Sequence, residues 1–167
     1  MPRLDPKAGI VAFAEDLPRV LRLCEADTVE QLGWRKLNDL TLLVPMVGQR
    51  GDVADNFTLK LGFQAYRAWP PSAQFVNPTT CTFTVGPDDQ WVPRLTSEEC
   101  RTHLSYPKPG GGTTQLICCS ATMEFYDVAH DVDDTLVWSD KSTFYSTIVA
   151  IRRAFETNYE GPFRERG

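Results

Sequence analysis

The sequence predicts an α+β domain: an N-terminal helix, an antiparallel meander of about four strands, and a C-terminal helix. Three observations carry this expectation. Val11, Ala14, Leu17, Leu21 and Cys24 recur at helical spacing within residues 9–26. The middle of the chain then changes to short segments in which apolar and polar residues alternate, separated by Pro, Gly and Asn. Helical spacing returns in residues 142–158, where Phe144, Ile148, Ile151 and Phe155 share a face. Sequential strands joined by short turns form an antiparallel meander, and amphipathic helices cover one of its faces. With 167 residues the chain is expected to form one domain, residues 1–167, large enough to bury a core without disulfides or a structural metal.

The elements follow in order. The first helix carries Pro18, so it is expected to start near Asp16, which would cap it, or to bend there. Residues 38–47 are apolar and β-branched, which predicts a strand, and 48–52 (Gly-Gln-Arg-Gly-Asp) predict a turn. Residues 57–63 alternate cleanly and give the best strand signal in the chain. Trp69-Pro70-Pro71 ends that segment, and residues 73–76 predict a third strand, closed by Asn77-Pro78. Residues 81–85 alternate again and predict a fourth. Residues 93–112 read as irregular, ending in Pro107-Lys108-Pro109-Gly110-Gly111-Gly112. Leu116-Ile117-Cys118-Cys119 follows directly, and Asp131, Asp133 and Asp134 form an acidic stretch, read as a solvated loop. Ser142 is the expected cap of the last helix.

The formal charge of −5 and pI of about 5.0 exclude nucleic-acid binding that rests on bulk charge. The late arginines, Arg152, Arg153, Arg164 and Arg166, read as a solvated face and tail. No apolar run reaches the length of a membrane span, and the first residues lack the apolar core of a secretory signal, so a cytoplasmic protein is expected. Five cysteines, Cys24, Cys81, Cys100, Cys118 and Cys119, then read as reduced thiols. From the residues alone, Cys118 is either a reactive thiol or a buried core thiol, and His130 either a functional imidazole or a surface histidine beside Asp131. Adjacent strand residues face opposite ways, so only one of Cys118 and Cys119 can face solvent.

The order of elements resembles the ubiquitin-conjugating enzyme fold family. The residues that carry the likeness are Tyr66-Arg67-Ala68-Trp69-Pro70-Pro71 leading into Ala73-Gln74-Phe75-Val76, and the approach from Gly112 to Ile117-Cys118. Ser120-Ala121-Thr122-Met123-Glu124-Phe125-Tyr126, then His130 and Trp138, resemble the bacterial conjugating-enzyme-like proteins encoded beside ubiquitin-like modifiers. The family's His-Pro-Asn is not found here, and Tyr66 is not followed by Pro, which leaves a lysine or a hydroxyl as acceptor. The resemblance implies that Cys118 receives a ubiquitin-like modifier as a thioester from an activating enzyme and passes it to a target protein. No cofactor, nucleic acid or membrane is implied. His130 would orient the acceptor or relay a proton, and Tyr126 with Glu124 would position the reacting groups. The 108–114 loop would lie beside Cys118, with Thr113 and Thr114 supplying polar contacts. The chain shows no Gly-rich phosphate-binding loop, so activation of the carboxylate falls to the partner. Two alternatives stand beside this reading. One is a zinc module built from Cys100, His103, Cys118, Cys119 and His130. The other is a catalytically silent protein of the same fold that binds a modifier or partner non-covalently.

Overall fold

The computed structural model describes residues 2–129, 138–139 and 141–167. Its elements are α1 (Pro6–Leu23), β1 (Arg35–Asn38), β2 (Thr41–Arg50), β3 (Val53–Gly62), β4 (Ser72–Val76), β5 (Pro93–Leu95), β6 (Arg101–Pro107), β7 (Thr113–Cys118), α2 (Phe144–Thr157) and β8 (Tyr159–Pro162). Strands β1 to β4 form one antiparallel sheet in chain order. Two further antiparallel pairs, β5 with β8 and β6 with β7, lie outside it. The expected mixed architecture is present: an N-terminal helix, a four-stranded antiparallel meander and a C-terminal helix.

Alternation along the strands decides which face is covered. Leu42, Val44 and Met46 of β2, Phe57, Leu59 and Leu61 of β3, and Phe75 of β4 are all buried. The apolar face of α2 closes over them, with the Phe155 ring 5.7 Å from Phe57 and 5.9 Å from Phe75. Helix α1 enters the same core through Phe13, whose ring stacks on Phe63 at 3.9 Å and meets Phe144 edge-on at 5.5 Å. Each such aromatic contributes about 1.5–3 kcal/mol by leaving water. Gly9 allows α1 to dock this closely, because a Cβ there would run into the Phe63 carbonyl oxygen.

The first helix begins earlier than expected. Asp5 caps it by accepting from the Ala8 N–H at 3.1 Å, Pro6 occupies its first turn, and the helix continues through Pro18. Asp16 is not a cap: it is fully buried and accepts from the Tyr66 hydroxyl at 2.6 Å and from Arg67 Nε at 3.0 Å. The Tyr66 hydroxyl accepts in turn from the Phe144 N–H at 3.0 Å, which satisfies the start of α2. This network joins α1, the β3–β4 connection and α2, and tertiary packing of this kind outweighs the one hydrogen bond lost at Pro18. At the other end of the sheet, Asp55 pairs with Arg50 at 2.8 Å and accepts from the Tyr159 hydroxyl at 2.6 Å, fastening β8 to the β2–β3 hairpin.

The strand count holds with different members. Residues 81–85 form no strand, because side chains take their backbone donors: Asp88 accepts from the Thr84 N–H at 2.7 Å and Thr80 from the Thr82 N–H at 3.3 Å. The missing member is β1, whose four residues are all exposed and so lack alternation. Residues 48–50 belong to β2 rather than to a turn. The segment 93–112, read as irregular, contains β5 and β6. Thr143, not Ser142, occupies the cap position of α2. Among the described residues, no helix is long and apolar enough to cross a membrane.

Candidate functional site

Cys118 is the last residue of β7 and is partly exposed, whereas Ile117 and Cys119 on either side are buried. The two neighbouring sulfurs therefore occupy different environments. Immediately after Cys118 the chain turns, and side-chain hydroxyls hold that turn. Thr122 donates to the carbonyls of Ile117 and Cys119, each at 2.9 Å. Tyr126 donates to Ser120 at 2.7 Å, and Thr147 of α2 donates to Ala121 at 2.7 Å. Four carbonyls around Cys118 are thus fixed by three hydroxyls from the turn, the following helical segment and α2. The thiol sits on a braced backbone while remaining open to solvent.

The β6–β7 register decides its neighbours. Arg101 is paired directly opposite Cys118, Thr102 opposite Ile117 and His103 opposite Leu116. Directly opposed residues share a face, so Arg101 and His103 lie on the Cys118 side of the hairpin. Burial pushes the Cys118 thiol above its ordinary range and the adjacent Cys119 adds to this, while the Arg101 charge pulls it back. Burial holds His103 below the ordinary imidazole range, helped by Arg101, so its neutral form prevails at pH 7.

Cys119 faces a different partner. It contacts Cys100, which ends the connection into β6 and is itself buried. The Cys100 thiol donates to Cys119, which raises Cys100 and holds Cys119 low, the Ala121 N–H also favouring charge on Cys119. Among the described residues, no group of three His, Cys, Asp or Glu side chains is placed to hold a metal ion.

The glycine-rich loop is not beside Cys118. Residues 108–112 make the β6–β7 turn, closed by the Lys108 N–H on Gly112, and glycines 110 to 112 all have positive φ. Cys118 lies at the opposite end of β7, about 17 Å away at the usual rise per residue. Thr113 and Thr114 are at the loop end and make no contact set for the thiol. Tyr126 is buried, packs 5.5 Å from Trp69, and places its hydroxyl on the Ser120 carbonyl, so it anchors the turn. Glu124 accepts from the Ala73 N–H at 3.1 Å on the free edge of β4. Burial raises its carboxyl to about 7. Beside it, the Gln115 amide both accepts from and donates to Phe75, at 2.7 and 2.9 Å, so two side chains complete the β4 edge in place of a fifth strand. His130 lies outside the described residues, as does the acidic stretch at Asp131, Asp133 and Asp134.

The sequence reading missed Arg101 and the bracing role of Thr122 and Thr147. Arg101 has no local signal, since only the register brings it opposite Cys118. Thr122 sits four residues after Cys118, a spacing that a hydroxyl back-bonding to a strand end would have suggested. Comparisons with protein-family models, with curated proteins and with solved structures gave no match.

Proposed function

We propose that the chain is a conjugating-enzyme-like carrier that holds a ubiquitin-like modifier on Cys118 as a thioester. The observation that carries this reading is the partly exposed thiol at the end of β7, on a turn whose carbonyls are fixed by Thr122, Tyr126 and Thr147. Acyl carriage needs a sulfur that a protein partner can reach on a backbone that does not yield. The Cys118 thiolate attacks the carbonyl carbon of the modifier's thioester on an activating enzyme, and that enzyme's thiolate leaves. An amine or hydroxyl of a target then attacks the new thioester, and Cys118 leaves as the thiolate. Arg101 across the hairpin favours the charged sulfur in both steps. The ubiquitin-conjugating fold identity and the roles of His130 and Tyr126 rest on the sequence resemblance, and the cytoplasmic setting is an expectation from the sequence pattern.

The test is reconstitution with an activating enzyme and a ubiquitin-like modifier, sought among the genes that flank the one for this chain. ATP, activating enzyme and modifier together should give an adduct on the chain that dithiothreitol removes. Omitting the activating enzyme should abolish it. An adduct formed by the chain with modifier and ATP alone would overturn the assignment, as would an adduct that resists thiols.

A further inference from the structure

We propose that the open edge of β2 is an interface for a second copy of this chain, whose own β2 adds antiparallel to it and joins the two sheets across a twofold axis. Strand β1 covers only Thr41, Leu42 and Leu43 of β2. Beyond them, among the described residues, no strand pairs with β2 on that side. The ladder with β3 decides which backbone groups face this edge. Asn56 lies opposite Val47, and its carbonyl turns away from β2 to accept from Arg166 at 2.6 Å. An antiparallel pair exchanges both of its hydrogen bonds or neither, so Val47 points its N–H and C=O outward, and Gln49, two residues on, does the same. Pro45 fits this phase, since a proline within a strand needs its nitrogen on an open edge. Among the described residues, no backbone group takes up these donors and acceptors. The Val47 side chain is also 53% exposed.

The edge is complementary to itself. A second β2 laid antiparallel, with Val47 of each copy opposite Gln49 of the other, satisfies the outward N–H and C=O of both residues and asks nothing of the Pro45 nitrogen. The axis stands perpendicular to the sheet, so both α2 helices lie on the same side of the joined sheet and run antiparallel. A cleft of about 390 Å³ follows the edge between β2 and α2, lined by Pro45, Val47, Gln49, Arg152 and Glu156. Arg152 and Glu156 are about one turn apart on this flank of α2. Among the described residues, neither is held in a salt bridge. Reversing the helix across the twofold sets Arg152 of each copy toward Glu156 of the other, so opposite charges meet reciprocally. An isologous contact demands this self-complementarity, and a foreign strand would not. Val149, 38% exposed and just before Arg152 on α2, adds apolar surface beside the pair.

The experiment uses the full chain with no modifier or activating enzyme, so its result is independent of the thioester reading. Sedimentation equilibrium from about 1 µM to 1 mM reads the association, and amide hydrogen exchange at the two ends of that range locates it. The chain should pass from monomer to dimer with no larger species, and exchange at Val47 and Gln49 should slow in the dimer. Val47→Pro deletes a donor from each side of the contact and none from the β2–β3 ladder, so it should weaken association by at least about tenfold. Arg152→Glu and Glu156→Arg should each weaken it severalfold, and the two together should restore it. The charge variants keep the test decisive if Val47→Pro does not fold. A chain that stays monomeric to about 1 mM would overturn the inference and leave the edge to a foreign strand. A dimer indifferent to Val47→Pro or to both charge reversals would overturn it as well, as would a double variant that stays dissociated.

Discussion

Glu124 offers the sharpest test of how the site is held. Its carboxylate completes the edge of β4 by accepting from the Ala73 N–H, and burial raises it from 4.5 to about 7, with Asp127 adding a smaller push. Between those values the folded chain holds one proton more than the unfolded chain. Stability therefore falls as pH rises through this window and is level above it. Each pH unit is worth about 1.4 kcal/mol, so the loss reaches at most about 3 kcal/mol. Part of the side chain reaches a polar cleft shared with Lys60, Ser72 and Gln74, which keeps that figure a ceiling. Glu124→Gln retains an acceptor for Ala73 without the titration. Urea unfolding of both proteins in steps from pH 4.5 to 8 isolates the term, because other groups cancel in the difference. His103 is among these, with the opposite sign, since its lowered value gives stability that rises with pH. The variant should match the wild type near pH 4.5 and exceed it by as much as about 3 kcal/mol at pH 8. Parallel curves across the range would refute the reasoning.

Three further outcomes follow from the same structure. Asp16→Ala removes the acceptor of both Tyr66 and Arg67 at a fully buried position and should cost about 3–5 kcal/mol in urea unfolding, against under about 1 kcal/mol for the exposed Glu15→Ala. Tyr126→Phe frees the Ser120 carbonyl and should cost about 1 kcal/mol, read as a lower urea midpoint with an unchanged slope. Burial raises the Cys118 thiol, so its alkylation by iodoacetamide at pH 7 should be slower than that of a free peptide cysteine and should keep rising beyond pH 9. Arg101→Ala should slow it further at neutral pH, and a faster rate in that variant would contradict the stated cause.

What was legible in the sequence was the part with strong periodicity. The stripe on α2 and the alternation of 57–63 put the core where it lies, because burial of Phe57, Leu59, Ile148 and Phe155 is what creates those patterns. Elements built from few buried residues gave no such signal. Strand β1 is exposed throughout, and β6 buries only Thr102, so its place is set by the turn at 108–112 and by pairing with β7. The α1 boundary was obscured by Pro18, since nothing local reveals that Asp16 pairs with Tyr66 and Arg67 fifty residues on. At the site, the contrast between Cys118 and Cys119 was readable from strand alternation. The partners were not: Arg101, Cys100 and Thr147 come from other segments, and the loop expected beside Cys118 lies at the far end of its hairpin.

The measurement that bears most directly on the central claim compares Cys118→Ala with Cys119→Ala in the reconstituted reaction. Exposure favours Cys118 as the carrier, and Cys119 is buried in the core. Cys118→Ala should abolish the thiol-sensitive adduct with the modifier. Cys119→Ala should keep it, at a stability cost of about 1 kcal/mol. Loss of the adduct in Cys119→Ala alone would move the carrier to the buried sulfur. An adduct surviving in both variants would contradict the account of Cys118 as the site.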